Sequence, residues 1–407
     1  MKIIRKDSKT MLKALKRTYN SRKHLSLKVA KILEDVKSFQ DEALVKYTRK
    51  FDRVKLAPKD FKITQAEISA AYQGIEPDFV SNLKVIIYNV TRFYKKQVKK
   101  SWKLKDEDGV LLGEKLIPIE SVGIYVPSGS APLVSSVYMS VLPAKLAGVK
   151  RIVLVTPPNK SGMVNPHILV VANLLKVTEI YKLGGAQAIA ALAFGTKSIP
   201  KVDKIIGPGN IYVTEAKRQV FGFVDIDMLA GPTEVVIIAN RYSNPEFIKA
   251  DMRAQTEHFG GMAVLITPCK KIVNLLKDVE IPDSYIVRVK NLEEALELSN
   301  IIAPEHLEIL VNSPIRLLKL VKNAGAVFLG PYTPVAVGDY VAGPSHILPT
   351  MGTAKFFSGL RIDDFIKSTH VISYSKKALD RYKAPLEAVA RLEGLVKHLE
   401  SVKVRFV

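Results

Sequence analysis

Apolar residues follow two rhythms along this chain. In the segment from Leu27 to Phe51, Leu27, Ala30, Leu33, Val36, Ala43, Leu44 and Tyr47 recur mostly at three- and four-residue steps, which is the spacing of one helix face. A second helix of this kind is expected from Pro77, a residue suited to a first turn, to about Lys100. Its apolar stripe is Phe79, Val80, Leu83, Ile86, Ile87, Val90 and Phe93. After Trp102 the pattern shortens. Runs rich in β-branched residues at 122–126, 151–155, 179–182, 204–206 and 234–238 read as strands, with helices at 165–176, 185–194 and 210–220 between them. A second alternating set follows, with strands at 263–266, 285–289 and 326–329 and helices near 244–258, 291–302 and 314–322. Such alternation predicts parallel sheets with helices packed on both faces.

The expected fold is therefore α/β, with two Rossmann-like parallel-sheet domains, an N-terminal arm and a small helical C-terminal tail. Residues 1–24 form the arm, 25–119 and 235–360 a discontinuous first domain, 120–234 the second, and 361–407 the tail. In this division the N-terminal helices complete the half that contains 235–360. Residues 330–353 are a Pro/Gly-rich loop of a length that usually serves function.

Composition narrows the class. With 407 residues, 47% apolar and 25% charged, the chain has the balance of a globular protein of more than one domain. It contains no apolar run of about 18 residues, and its first residues lack the apolar core of a secretion signal, so no membrane association and a cytoplasmic location are expected. A single cysteine, Cys269, excludes an intrachain disulfide framework. The net charge of +22 attracts nucleic acid or anionic surfaces, or steers small anionic ligands such as a dinucleotide. Because the Lys and Arg residues are spread without a block or interleaved aromatics, the second reading is preferred and no specific nucleic acid is expected.

Candidate chemistry centres on Met252-Arg253-Ala254-Gln255-Thr256-Glu257-His258-Phe259-Gly260-Gly261. In a helix Gln255 and His258 share a face, and a carboxamide oxygen beside an imidazole nitrogen suits a divalent metal; the two glycines would end that helix. Gly-rich turns follow three expected strands, at 125–130, 184–187 and 207–210. None has the G-x-G-x-x-G spacing, so tight-turn geometry and phosphate binding both account for them. Four of the seven histidines, His258, His306, His346 and His398, stand beside carboxylates or in polar loops. Pro304-Glu305-His306 also reads as a simple helix start.

Together these segments resemble histidinol dehydrogenases over nearly the whole chain. The resemblance rests on Gly-Ile-Tyr-Val-Pro at 123–127, Gly-Gly-Ala-Gln-Ala-Ile-Ala at 184–190, Gly-Pro-Gly-Asn at 207–210 and Ala-Gly-Pro-Thr-Glu at 230–234. Gln-Thr-Glu-His at 255–258, Ala-Pro-Glu-His-Leu at 303–307, Gly-Asp-Tyr at 338–340, Glu393 and His398 follow in the family's order. The resemblance implies oxidation of L-histidinol to L-histidine, the last step of histidine biosynthesis, by two NAD-linked hydride transfers through bound histidinaldehyde. It implies one zinc ion per subunit held by Gln255, His258, Asp339 and His398, with Glu305 and His306 as the acid–base pair. Thr233, His346 and Glu393 match positions that touch the substrate together with Gln255, His258, His306, Asp339 and His398; Tyr125, Gln187 and Asn210 match positions beside NAD. It also implies a homodimer of intertwined subunits, in which the C-terminal segment completes the partner's site.

The chain departs from the family pattern at three places. Val335 stands where an acidic residue is usual, Ser128-Gly129-Ser130-Ala131 replaces a segment that tends to carry a double glycine, and Thr233 replaces a serine with the hydroxyl kept. A different zinc enzyme such as a hydrolase, a nucleic-acid-binding protein, and a paralogue of the same fold acting on another amino alcohol are the rival classes.

Overall fold

The structure, a computed structural model, describes residues 1–4, 23–128 and 131–406. Most of the expected N-terminal arm (residues 5–22) and Gly129-Ser130 of the first Gly-rich turn lie outside those residues. The chain divides into two units, Met1–Gln97 with Ile119–Phe365, and Val98–Pro118 with Ile366–Val407.

In chain order the strands begin with β1 (Lys2–Ile4), β2 (Trp102–Lys105), β3 (Leu111–Pro118), β4 (Ser121–Tyr125) and β5 (Arg151–Thr156). Next come β6 (Glu179–Lys182), β7 (Lys204–Ile206), β8 (Asp225–Ile226), β9 (Glu234–Ala239) and β10 (Met262–Thr267). The last are β11 (Ser284–Arg288), β12 (His306–Leu310), β13 (Ala326–Leu329) and β14 (Ile366–Ser373). The first unit holds two fully parallel sheets, ordered β6-β5-β4-β7-β8 and β1-β11-β10-β9-β12-β13. Leaving β1 aside, both show the doubly wound arrangement, in which the chain starts centrally, winds to one edge, then returns to wind to the other. The reversal falls between β4 and β7 in one sheet and between β9 and β12 in the other.

Burial on both faces makes the central strands nearly continuous apolar runs. All of β9, β10 and β12 is buried, and alternate residues of β9 enter different cores, Val236 and Ile238 one, Val235, Ile237 and Ala239 the other. Polar residues in these strands are therefore conspicuous. They are Glu234, Thr267, His306 and Glu308.

Several expectations are corrected. The helix Lys23–Phe51 packs on the sheet built from β4–β8, not on the 235–360 half, whereas Phe79–Lys95 packs on Val134–Ala147 and also hydrogen-bonds the carbonyls of Val341 and Leu360. Val29, Val36, Leu44 and Tyr47 of the helix Lys23–Phe51 share a core with Tyr125, Leu183 and Ile189, because its apolar face meets the helix Gly185–Phe194. Residues 98–118 leave the first unit altogether. They form β2 and β3, which pair antiparallel with β14, so the expected helical tail is a three-stranded sheet with helices Lys376–Arg381, Lys383–Leu392 and Val396–Lys403. The start of the arm is strand rather than coil, as β1 pairs with β11. The helix expected at 77–100 is Phe79–Lys95, the one expected at 314–322 shortens to Ile315–Leu318, and the 330–353 loop contains the short helix Val335–Tyr340. Cys269, half-buried, lies just past the carboxyl end of β10.

The packing of the first helix gives a direct test. Leu44→Ala empties a fully buried position and is expected to cost about 2–5 kcal/mol in chemical denaturation. Hydrogen exchange should accelerate in the helix Gly185–Phe194, while the helix Pro245–Thr256 stays protected. Equal acceleration in both would contradict this packing.

Candidate active site

The centre is built where β9 and β12 begin. Their parallel register sets His306 opposite Val235, which brings Glu305 beside Thr233 and Glu234 across a sequence gap of more than seventy residues. The Glu305 amide donates to Glu234 Oε1 at 3.3 Å, and the Glu234 amide donates to Glu305 Oε2 at the same distance. The Thr233 hydroxyl donates to Glu305 Oε2 at 2.5 Å, and Gln255 Nε2 donates to that hydroxyl at 2.7 Å. A relay therefore runs from Gln255 through Thr233 to Glu305. Glu234 Oε1 also accepts from the amide of Met351 at 2.8 Å, tying the 350–353 turn to the same point.

Burial dominates the charge state. Glu305 is almost wholly enclosed, and desolvation holds its carboxyl well above the ordinary carboxylate range; the Thr233 hydrogen bond opposes this and the Glu234 carboxyl reinforces it. His306 Nδ1 donates to the Glu234 carbonyl at 3.2 Å, so its proton sits on Nδ1 and the lone pair on Nε2. Desolvation lowers this imidazole to about 4. Nε2 has no hydrogen-bond partner and lies 3.8 Å from Asp339 Oδ1. A neutral ring with one free nitrogen is a ready proton acceptor.

Asp339 rides on the helix Val335–Tyr340. The amide of Val335 donates to Glu308 Oε1 at 3.0 Å, and Gly338 lies so close to Phe328 that an added Cβ would come within 2.6 Å of the ring. Burial raises the Asp339 carboxyl to about 6. His346 Nδ1 donates to the Asp339 carbonyl at 3.0 Å, Ser136 Oγ donates to His346 Nε2 at 3.3 Å, and desolvation keeps this second ring neutral too. Beside Asp339 and His346 opens a cavity of about 520 Å³, lined also by Phe93, Phe328 and Val337, ample for a small polar metabolite. Val335 itself packs against the apolar core beneath the sheet.

Two local readings change. The helix carrying Gln255 ends at Thr256, so Gln255 is buried in its last turn while His258 is exposed two residues beyond, and the pair does not share a helix face. His258 nevertheless lies close enough to His306 and His346 to depress both. Pro304-Glu305-His306 opens a strand, not a helix, because Leu307 and Ile309 are buried in the core on β9. Glu393 and His398 are exposed on the helical part of the second unit, at the end of Lys383–Leu392 and within Val396–Lys403.

Tyr125, Gln187 and Asn210 come together at the carboxyl ends of the other sheet, where open α/β sheets bind ligands. Tyr125 ends β4 and its hydroxyl accepts from the Gly185 amide at 3.1 Å. Asn210 caps the helix Ile211–Val220, accepting from the amides of Tyr212 and Val213. Gln187, in the first turn of Gly185–Phe194, is fully buried with neither amide atom hydrogen-bonded. An orphaned amide at a helix N-terminus beside Gly-rich turns fits a polar phosphate-bearing ligand.

Metal donors fit as well. Gln255, His258 and Asp339 offer a neutral oxygen, an imidazole and a partly buried carboxylate, a mixture suited to a borderline divalent cation. Among the described residues no group of three or more His, Cys, Asp and Glu side chains is arranged to hold a metal, so the fit depends on the Gln255 carboxamide and on a ligand from elsewhere.

Sequence reasoning missed Glu234 and a carboxyl pair behind the site. Asp251, one turn before Gln255, sits near enough to Glu308, two residues after His306, for each carboxyl to shift the other. A lone carboxylate inside each apolar strand was the available signal. Burial raises Asp251 to about 6 and Glu308 to about 8. Both values exceed those of the unfolded chain, so the pair's own contribution to stability is full below about pH 4 and declines as pH rises towards 8. Glu308→Gln removes the titration and is expected to flatten that decline by roughly 1–3 kcal/mol, read from urea unfolding at several pH values. An unchanged slope would show that the pair carries no buried proton.

The family description "Histidinol dehydrogenase" matches residues 15–406. A curated protein of that name from Clostridium acetobutylicum is 45% identical over 393 residues, covering 92% of this chain and 91% of the relative. One from Bacillus cereus is 48% identical, covering 93% and 92%. The crystal structure of histidinol dehydrogenase from Elizabethkingia anophelis superposes with a TM-score of 0.92 at 36% identity, covering 100% of this chain and 98% of that one.

Proposed function

The chain belongs to the histidinol dehydrogenase family, and from that premise we propose that it oxidises L-histidinol to L-histidine in two NAD-linked steps with a zinc ion at the centre. The observation that carries the reading is the pairing of two buried groups of opposite character, a neutral His306 with Nε2 free and a carboxyl of Glu305 held by Thr233 and Gln255. When bound, NAD supplies the hydride acceptor and zinc a Lewis-acidic anchor for the amine and imidazole of the substrate.

Gln255, His258 and Asp339, with His398 of the partner subunit, would hold the metal, and Tyr125, Gln187 and Asn210 would border the dinucleotide. His306 takes the alcohol proton at Nε2 in the first oxidation; with its pKa near 4 the base is free throughout the working pH range. The aldehyde then needs water, and Glu305 is the group placed to take the water proton. Because burial raises Glu305, the second oxidation speeds up as pH rises and that carboxyl ionises. Thr233 and Gln255 fix which Glu305 oxygen faces the reaction. His346 and the partner's Glu393 line the substrate side. Val335 carries no charge to the pocket, so substrate orientation rests on these remaining polar groups.

Feeding histidinol and histidinal separately tests the division of labour. Glu305→Gln should slow aldehyde oxidation roughly 10²–10⁴-fold and abolish its rise with pH, with far less effect on alcohol oxidation; His306→Gln should impair both. Equal slowing of both substrates by Glu305→Gln would reject the assignment.

Sharing of sites between subunits is checked by complementation. Homodimers of His258→Ala or of His398→Ala should be inactive, whereas mixed dimers should regain one intact site. Verified heterodimers without activity would place each site within one chain.

A further inference from the structure

Outside the reacting centre, the most completely satisfied buried ion pair in the first unit is Lys217–Asp227, with side chains 3% and 1% exposed. Burying two charges is costly unless each meets further partners. Here the partners are backbone groups, chiefly both polar groups of Gly207. Asp227 Oδ2 accepts from the Gly207 amide at 2.8 Å, and Lys217 Nζ donates to the Gly207 carbonyl at 2.9 Å. Asp227 Oδ1 accepts from Lys217 and from the Met228 amide at 2.6 Å.

Gly207 opens the turn after β7 with φ +118°, and a Cβ there would lie 2.1 Å from the Tyr125 carbonyl oxygen. The turn is thus seated against the end of β4 and locked through both backbone polar groups of one residue. Next to it runs the strap from Asp227 to Thr233. Thr214 Oγ1 holds the Ala230 carbonyl at 3.0 Å, and the Gly231 amide donates to Thr350 Oγ1 at 2.7 Å. Thr233, at its far end, is the residue bonded to Glu305.

We infer that Lys217 and Asp227 are positioning residues that preset the Gly207-Pro208-Gly209-Asn210 turn for the pyrophosphate side of a dinucleotide and register it against the strap that carries Thr233. This rests on the NAD reading above. By taking both polar groups of Gly207 inward, the pair fixes where the amides that follow emerge, and a preset turn binds without an ordering cost. Neither residue touches a reacting atom.

The test uses the full-length protein with Lys217→Met/Asp227→Leu, which replaces both charges by apolar groups of similar size. NAD and histidinol binding are measured by titration calorimetry, alongside hydrogen exchange of residues 204–212. Expected are a Kd and KM for NAD raised about 10-fold or more, with histidinol Kd within about 3-fold, and faster exchange at Gly207. A folded double variant with unchanged NAD affinity and exchange overturns the inference. If the wild type binds no NAD, the dinucleotide reading fails, and unchanged exchange at Gly207 in the variant still decides against the lock. Should the double variant not fold, Asp227→Asn, which keeps an oxygen for the Gly207 amide, takes its place. A smaller loss confined to NAD supports the inference, and equal losses for both ligands overturn it.

Discussion

The pairing of β9 with β12 is the constraint on which the centre depends. It is a parallel contact between segments separated by more than sixty residues, and its register is fixed because both strands are buried on both faces. A slip of one residue would turn His306 and Glu308 into the opposite core and bring Leu307 to the place of His306. The same register supplies the Glu234 carbonyl that chooses the His306 tautomer. Protonation state here is a product of sheet geometry before it is a property of any side chain.

The two sheets share one winding order, yet the candidate residues use opposite ends of them. Tyr125, Gln187 and Asn210 gather at carboxyl ends, as expected for open α/β sheets, whereas Glu305 and His306 stand at amino ends. Amino ends have no preformed crevice. The cavity there is completed by irregular chain, the 330–353 segment with its short helix, seated on Phe328 and tied to Glu308. In the proposed reading, two copies of one topology divide the tasks, one holding the ligand and the other handling protons.

Much of the architecture was legible because period and run length report burial directly: the strands 151–156, 179–182 and 204–206 and the helix Gly185–Phe194 lie within a residue of expectation. Misreadings cluster where local signals conflict with long-range pairing. Pro304-Glu305 resembles a helix start, and only contact with β9 makes the segment a strand. The amphipathic helix Lys23–Phe51 announces an apolar face but not its partner, and choosing the wrong sheet followed from that silence. Short exposed strands such as β2 leave no apolar rhythm to detect. Among site residues, the motifs pointed to Thr233, Glu305 and His306, while Glu234, Glu308 and Asp251 act through distances no spacing reveals.

The position of the one thiol has a chemical consequence. Cys269 lies past the carboxyl end of β10, whereas His306 opens β12 at the amino end of the same sheet, roughly 20 Å away by strand rise. No sulfur nucleophile is within reach of an aldehyde at the centre, so the proposed second oxidation cannot proceed through a thiohemiacetal and thioester. In that proposed reaction the acyl carbon is not tethered to a cysteine, and the carboxylate forms without deacylation of a thioester. Iodoacetamide, which disables enzymes that capture aldehydes on cysteine, would modify this chain and leave turnover intact.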